Sequence, residues 1–487
     1  MVAFKALILD IGDVLFKWKA PKDTKVTPKQ LHRAMCTLPW FEFERGKISE
    51  KECFAQISRI MGILASDIHE TIEKAALTLE ADDCLVSIIK ELKTINGGFK
   101  LYAMSNIGHE HYQIIRSKPW DHWSLFEHVF TSAEAGKRKP DLEFYKHVLK
   151  EINLEHSPGS VLFVDDKLEN VATAQSLGIQ AIQFDGSDEM VLKISNIIGD
   201  PVARGAEYLK KNAKKMFSTV NGEAVMKENF AQLLILEATG DPDLVVLNPG
   251  KTMWNFFLAE PMFTTSQYPD DFDTTTLALL VLGCPESQAH EVMNRAVRNV
   301  NPDGIIQLYD DPLRPRVDFV FCVHILSLFH KYHRESETIK TYEWVYQILK
   351  NRAYLRGSLY YKTPDYFLWT VGRLITESAK AKNPLPENIV NLFSERCRES
   401  LRTSGDALAL AMRILACLST GRIAKEELWR DIEELRSLQC ADGGWPFCPM
   451  YRLPAAGAAI GNRGLSTALA MKALKLVDDS GAKHHPV

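Results

Sequence analysis

Long apolar runs are missing from this 487-residue chain. The longest, such as Phe319 to Phe329, fall well short of the ~20 residues that a membrane-spanning helix needs, which excludes stable membrane insertion. Dense basic tracts are missing too. Lys and Arg number 58 against 62 Asp and Glu, for a net charge of -4, and this balance excludes a nucleic-acid-binding surface. The small basic cluster from Lys210 to Lys215 reads as a solvated linker face. No Cys-x-x-Cys pair occurs among the nine cysteines, whose number is odd and spacing irregular. That excludes a zinc signature and fits reduced thiols in a cytoplasmic protein. A secretory signal is excluded at Met1 to Leu15, where Asp10 and Asp13 interrupt the apolar stretch. What is present is ordinary: 46% hydrophobic and 25% charged residues, the balance of a soluble globular protein. The length predicts two to four domains at roughly 150 residues each.

The first half alternates short apolar runs with helical segments. The runs are Phe4–Ile11, Lys100–Asn106, His128–Ser132, Ser160–Asp166 and Gln180–Phe184. Each ends in small or polar residues, the pattern of buried strands in a parallel sheet. Sites in such sheets form outside the carboxyl ends of the strands. Asp10, Ser105, Asn106, Asp165 and Asp166 stand at those ends, and Lys137, Arg138 and Lys139 follow the third run. Together they make a set for phosphate chemistry. One carboxylate can attack phosphorus. A hydroxyl and a lysine can hold the phosphoryl group, and the other carboxylates can hold Mg²⁺, which prefers oxygen ligands.

All these pieces, in this order, resemble the haloacid dehalogenase-like hydrolase superfamily over roughly residues 1 to 195. The resemblance implies Asp10 as nucleophile, Ser105 and Asn106 as the second motif, Lys139 as the third and Asp165–Asp166 as the fourth. Ser105 and Lys139 are then catalytic and Asn106 contacts substrate. Mg²⁺ is held by Asp10, Asp165, Asp166 and the backbone carbonyl of Gly12. Residues 17–93 become a helical cap inserted after the first strand. One departure stands out. The family places its acid/base aspartate two residues after the nucleophile, and here that residue is Gly12, with Asp13 one place late. General acids typically contribute 10²–10⁴-fold. Their loss costs little when the leaving group is a phosphate and much when it is an alkoxide, so Asp10 is expected to favour a terminal diphosphate over a monophosphate.

Gly199-Asp200-Pro201 closes this pattern, and helical periodicity dominates from about Ala203 onward. Within it lies Asp270-Asp271-Phe272-Asp273-Thr274-Thr275-Thr276, an acidic stretch running into the apolar segment Leu277–Leu282. Asp273 or Thr274 suits the N-cap of that helix. Two carboxylates two residues apart exceed what a cap needs. Like charges held close cannot both ionise easily, so one is kept as an acid. A protonated carboxyl beside an apolar cavity can attack a carbon–carbon double bond. A second stretch, Gln439-Cys440-Ala441-Asp442-Gly443-Gly444-Trp445, suits a tight turn with the indole packed across it.

Asp271-Phe272-Asp273-Thr274-Thr275 together with Gln439…Gly443…Trp445 is similar to the β-domain of class II terpene cyclases in the DxDTT variant, an α-barrel. A hydrolase domain fused ahead of one such domain resembles the drimane-type sesquiterpene cyclase-phosphatases. The expected architecture is therefore an α/β Rossmann-like haloacid dehalogenase-type domain with helical cap over 1–199, then an all-α barrel over 200–487. The implied function is bifunctional. Farnesyl diphosphate is cyclised by protonation to a drimenyl or albicanyl diphosphate, then dephosphorylated with Mg²⁺ toward monophosphate or alcohol. Asp273 is the proton donor, Asp271 sets its protonation, and Thr274 and Thr275 orient it. Cation–π contacts worth roughly 0.5–2 kcal/mol each would steady the carbocation, with Trp254, Tyr361 and Trp369 the chosen aromatics. Arg314 and Lys251 are the chosen diphosphate grips, with Arg316 and Arg463 behind them. Asp165-Asp166-Lys167-Leu168-Glu169 also matches the ionising motif of class I terpene synthases, but it follows a sheet strand and reads as the hydrolase metal motif. Two other readings stay open: a cyclase with a silent first domain, and a phosphatase with a helical binding module.

Overall fold

The computed structural model describes residues 4–19, 21, 23–96, 99–250, 252–453 and 457–481. The chain divides into two compact units, Met1–Gly199 and Asp200–Val487.

The first unit is built on a five-stranded sheet. Its strands are β1 (Ala6–Leu9), β2 (Lys100–Ser105), β3 (His128–Thr131), β4 (Val161–Asp165) and β5 (Gln180–Gln183), in the order β3-β2-β1-β4-β5. Every pairing is parallel. β1 and β4 are buried along their whole length, which is why they read as continuous apolar runs. The chain leaves β1 toward β2 on one side and later returns to β4 on the other. The order reverses at β1, and a crevice opens at the carboxyl ends around it.

The cap lies between β1 and β2. It comprises α1 (Pro28–Met35), α2 (Leu38–Glu44), α3 (Glu50–Met61) and α4 (Ala65–Leu77). Reciprocal capping boxes open α1 (Thr27 with Gln30) and α3 (Ser49 with Glu52), so both starts are fixed locally. The cap holds its own apolar cluster, including Trp40, Phe43, Phe54, Ile57 and Ile68.

The second unit is helical with a ring at its heart. α5 (Asn229–Thr239), α6 (Phe272–Leu282), α7 (Phe319–Lys331), α8 (Pro364–Lys380), α9 (Ala407–Leu418) and α10 (Arg463–Gly481) each pack on the next, and α10 closes onto α5. Val320–His330 of α7 and Ala407–Cys417 of α9 are buried without interruption. A helix apolar on every side belongs inside other helices. Outer helices such as Glu286–Ala296, Ile339–Lys350 and Glu387–Ser400 fill the gaps and are buried on one face only.

Side chains with fixed acceptors start the inner helices. Glu228 caps α5, Asp271 α6, Asp318 α7 and Asp406 α9. Periodicity alone leaves one element unseen, a four-stranded antiparallel sheet of Pro449–Leu453, Ala458–Gly461, Ser218–Val220 and Ala224–Met226. Its strands are too short to register as an alternation.

The Gln439–Trp445 turn is structural. Gln439 Nε2 donates to the carbonyls of Pro201 and Gly443, at 2.9 and 2.8 Å. The fully buried Trp445 indole donates to Leu435 O at 2.7 Å. Gly443 has φ +86°, and a Cβ there would stand 2.5 Å from Arg204 O. No helix among the described residues is long and apolar enough to cross a membrane.

Candidate functional site

The acidic stretch sits in the first turn of α6. The spacing predicts a cap at Asp273 or Thr274; the structure places it at Asp271, because the helix begins five residues earlier, at Phe272. Both oxygens of Asp271 are used locally. Oδ1 accepts from Thr274 N at 2.6 Å, and Oδ2 accepts from Thr274 Oγ1 at 3.0 Å. Thr275 Oγ1 donates to Asp271 O at 2.5 Å and accepts from Trp254 N at 2.8 Å. Thr274 and Thr275 therefore brace Asp271 and the loop carrying Trp254. Burial pushes the Asp271 carboxyl up to about 8; the Thr274 contacts oppose this and the neighbouring Asp273 adds to it.

Asp273 is 5% exposed and stands one helical step further in, facing a cavity. Tyr361 Oη donates to its Oδ2 at 2.5 Å, and His324 Nδ1 lies 2.5 Å from its Oδ1. His324 Nε2 faces Arg373 Nη1 at 3.3 Å, and Arg373 is in turn held by Glu237 at 2.8 Å. An arginine can only donate, so Nε2 accepts and the ring proton sits on Nδ1, pointing at Asp273. Both carboxyl oxygens of Asp273 thus receive a hydrogen bond, and an acidic proton has only a remaining lone pair to occupy. His324 carries no local sequence signal. It lies mid-helix in the apolar run Phe319–Phe329, where a lone polar residue reads as core.

The cavity before Asp273 holds about 50 Å³. Phe230, Phe256, Tyr361 and Tyr451 enclose it, with ring centroids 5.5–6.5 Å apart. Tyr268, Tyr309 and Tyr360 form a second group whose hydroxyls meet at 2.6 and 3.5 Å. Leu308 and Arg452 complete the lining.

Of the three aromatics chosen from the sequence, Tyr361 borders the cavity and Trp254 and Trp369 do not. Trp254 is buried behind Thr275, and Trp369 packs on Tyr366 with Arg373 over its ring. Arg314 bonds Thr265, Gln267 O and Asp311 and lies 5.7 Å from the Tyr268 ring, one layer outside. Arg463 is spent on Asp442 and Tyr208 and is unsuited to a diphosphate grip. Lys251 lies outside the described residues.

In the first unit the carboxyl ends of β1, β2 and β4 gather the phosphate set. Lys139 is fully buried, its Nζ 2.9 Å from Asp10 Oδ1 and 2.5 Å from Asp165 Oδ2, and it donates to Met104 O at 2.8 Å. Burial alone would pull this lysine down, but Asp10 and Asp165 outweigh it and hold the ammonium above its ordinary value. Burial pushes Asp10 up to about 7, against the pull of Lys139. Asp165 Oδ1 is positioned by Lys167 N and Asn170 Nδ2, at 2.9 and 2.8 Å. Ser105 is buried at the end of β2. Asn106 lines the cavity that Gly12 borders and also serves the backbone of Lys139. Its amide closes two bonds with the Lys139 backbone, at 2.8 and 2.7 Å, and so positions the lysine.

Oxygens of Asp10, Asp165 and Asp166 lie within 4.8 Å of one another. Hard oxygen donors with a concentrated negative charge fit Mg²⁺. Gly12 follows Asp10 by two residues after β1, and a Cβ added there would meet nothing within 4 Å.

Residues 202–332 match the family described as sesquiterpene cyclase astC-like C-terminal domain. Drimenol cyclase drtB of Aspergillus calidoustus is 41% identical over 471 residues, covering 96% of this chain and 88% of that protein. The chain belongs to the drimenol cyclase family. Sesquiterpene phosphatase astK of Aspergillus oryzae is 38% identical over 196 residues, 40% of this chain and 97% of its own length. Among solved structures, type II terpene cyclase MstE from Scytonema covers 58% of this chain and 97% of its own, at 13% identity and a TM-score of 0.40. As a member of the drimenol cyclase family, the chain is an enzyme that joins a part related to a sesquiterpene phosphatase to a sesquiterpene cyclase domain.

Proposed function

We propose that Asp273 protonates the terminal double bond of farnesyl diphosphate and that Asp10 then removes phosphate from the bicyclic product. One observation carries the reading: a buried carboxyl, hydrogen-bonded at both oxygens, faces a cavity walled by aromatic rings. The alkene π pair takes the proton and leaves a tertiary cation. The next two double bonds attack in turn and close two rings, and a carbon beside the final cation gives up a proton. The two donors matter after the transfer. His324 Nδ1–H and Tyr361 O–H stabilise the carboxylate that Asp273 becomes, at the moment its charge develops. Phe230, Phe256 and Tyr451 present π faces to the cation. The diphosphate stays intact through cyclisation, and Arg452 at the cavity and Arg314 behind Tyr268 are its candidate grips. The name of the 41% identical relative supports the drimane skeleton. At about 50 Å³ the cavity is below the ~300 Å³ of small ligand pockets, so its wall must part to admit a C15 chain.

In the phosphatase half, an oxygen of Asp10 attacks the terminal phosphorus, the monophosphate leaves with the bond electrons, and water releases phosphate from the aspartyl group. Lys139 holds Asp10 and balances the carboxylates around it. Mg²⁺ bound by Asp10, Asp165, Asp166 and the Gly12 carbonyl would supply charge neutralisation at the phosphoryl oxygens. Unpaired thiols support a cytoplasmic location. The test is incubation with farnesyl diphosphate and Mg²⁺, with mass analysis of products before and after an added phosphatase. A bicyclic alcohol or monophosphate before treatment is expected; uncyclised farnesol alone after treatment would sink the cyclase reading.

A further inference from the structure

We propose that Tyr451 accepts the proton whose loss ends cyclisation, and that Glu228 draws that proton out of the cavity. The inference rests on the reading of Asp273 as the initiating acid and adds the proton acceptor for the same reaction. Tyr451 borders the cavity that Asp273 faces, and its backbone pairs with that of Tyr361, the residue bonded to the acid. The Tyr451 hydroxyl reaches Glu228, which is 1% exposed. Glu228 Oε1 accepts from Tyr451 Oη and from Ser218 Oγ, both at 2.5 Å, and its Oε2 accepts from Ala231 N at 2.8 Å. The last bond is the cap of α5. A cap needs one oxygen, and a neutral serine or threonine supplies it without burying a charge. Oε1 and its two hydroxyls exceed that need.

The direction of the Ser218 bond is fixed from the backbone. Asn462 Nδ2 donates to Met216 O and its Oδ1 accepts from Leu465 N, both at 3.0 Å, which orients the amide. Nδ2 also donates to Ser218 Oγ at 3.2 Å, so the Ser218 hydrogen goes to Glu228. A carboxyl that only accepts is a carboxylate. Burial raises its hold on a proton above that of an ordinary glutamate, against the pull of the donors around it. Other groups on the cavity are less suited. Asp271, held up to about 8, is neutral; Tyr361 is tied to Asp273; the hydroxyls of Tyr268, Tyr309 and Tyr360 bond one another. In the step itself, a C–H bond beside the final cation breaks and its electron pair becomes the new double bond. The proton goes to Tyr451 Oη as the Tyr451 O–H proton moves to Glu228 Oε1. So acidic a cation needs only a weak base, and the paired transfer spares Tyr451 a positive charge. Glu228 returns the proton through Tyr451 to water when product leaves, and Asp273 takes one up.

The test is product analysis of the full chain with farnesyl diphosphate, after treatment with an added phosphatase. The unmutated chain should give chiefly one bicyclic alkene. Tyr451→Phe keeps the π face and removes the acceptor; Glu228→Gln keeps the volume and removes the charge. Each should raise water-captured bicycle and isomeric alkenes, relative to the native alkene, by about tenfold or more. The double variant should add little to either single change, because the two residues act as a unit. A product ratio does not depend on how much of a variant folds, so it stays readable if unpairing these buried groups costs stability. A native ratio in either single variant, or a fully additive shift in the double one, would overturn the relay and leave Asp273 as the acid. Loss of every bicycle from variants that keep the unmutated chain's thermal midpoint would place the pair before ring closure and likewise overturn it. No bicyclic product from the unmutated chain would overturn the acid and the relay together.

Discussion

His324 Nδ1 stands 2.5 Å from Asp273 Oδ1, and its opposite nitrogen meets Arg373 at 3.3 Å. The ring is thereby locked as a donor toward the acid. His324→Ala should lower kcat for ring formation by about 10²–10³-fold with little change in KM, because the lost bond counts most when Asp273 turns negative. Phosphate release from acetyl phosphate should be unchanged. Steady-state kinetics with both substrates checks this; a change confined to KM would reduce His324 to a packing role.

Asp273→Asn keeps the shape and removes the acid. Ring formation from farnesyl diphosphate should fall by at least about 10³-fold. Detection of bicyclic product at near-native rates would move the acid to another residue.

Asp271 imposes a pH limit. Burial holds its carboxyl neutral up to about pH 8, against an ordinary value of 3.8. Above that pH a second negative charge stands beside the carboxylate that Asp273 becomes on transfer, and the repulsion raises the barrier to cyclisation. Cyclisation kcat should be level from pH 6 to 7 and decline as pH passes about 8. Asp271→Asn should flatten that decline in a pH profile. The linkage to stability has the same sign. The folded state retains a proton that the unfolded chain has already lost above pH 4, so this group's contribution becomes less favourable as pH rises toward 8.

Asp10→Asn should separate the two activities. The cyclised product should accumulate with its diphosphate, and chelation of divalent metal should stop phosphate release in the same way. Mass spectra of untreated reaction mixtures decide it. Unchanged release from the variant would mean the first unit is silent.

Gly12→Asp has room for its side chain. If it restores proton donation, kcat should rise by about tenfold or more for a small alkyl phosphate, and far less for p-nitrophenyl phosphate, whose leaving group needs no proton. Equal changes for the two esters would count against a missing acid.

Much of this was legible in the residues. The strand ends pointed to Asp10 and Asp165 because a parallel sheet puts its chemistry there, the basic run after the third strand pointed to Lys139, and the DxDTT stretch pointed to Asp273 because two close carboxylates exceed a cap's needs. Asn106 and Thr275 were placed in the right neighbourhood, yet their side chains serve backbone groups, which only the fold reveals. Trp254 and Trp369 illustrate the opposite problem. Aromatic residues at helical spacing have no marker for which side faces a cavity. His324, Phe230 and Tyr451 come together across the barrel from distant segments, so no local window could contain the set.

The cavity's lining comes from loops and one strand that precede inner helices or from helix first turns: Phe230 opens α5, Tyr268 precedes α6, Tyr309 precedes α7, Tyr360 and Tyr361 precede α8, and Tyr451 lies on the strand Pro449–Leu453 before α10. Apart from His324 on α7 and Arg373 on α8, which serve Asp273, the deep bodies of those helices contribute packing. Product outcome and folding stability are thus written in different stretches of chain. A set of loop exchanges among related sequences could redirect ring closure while the thermal midpoint stays put, which makes this barrel a suitable scaffold for diversifying terpene skeletons.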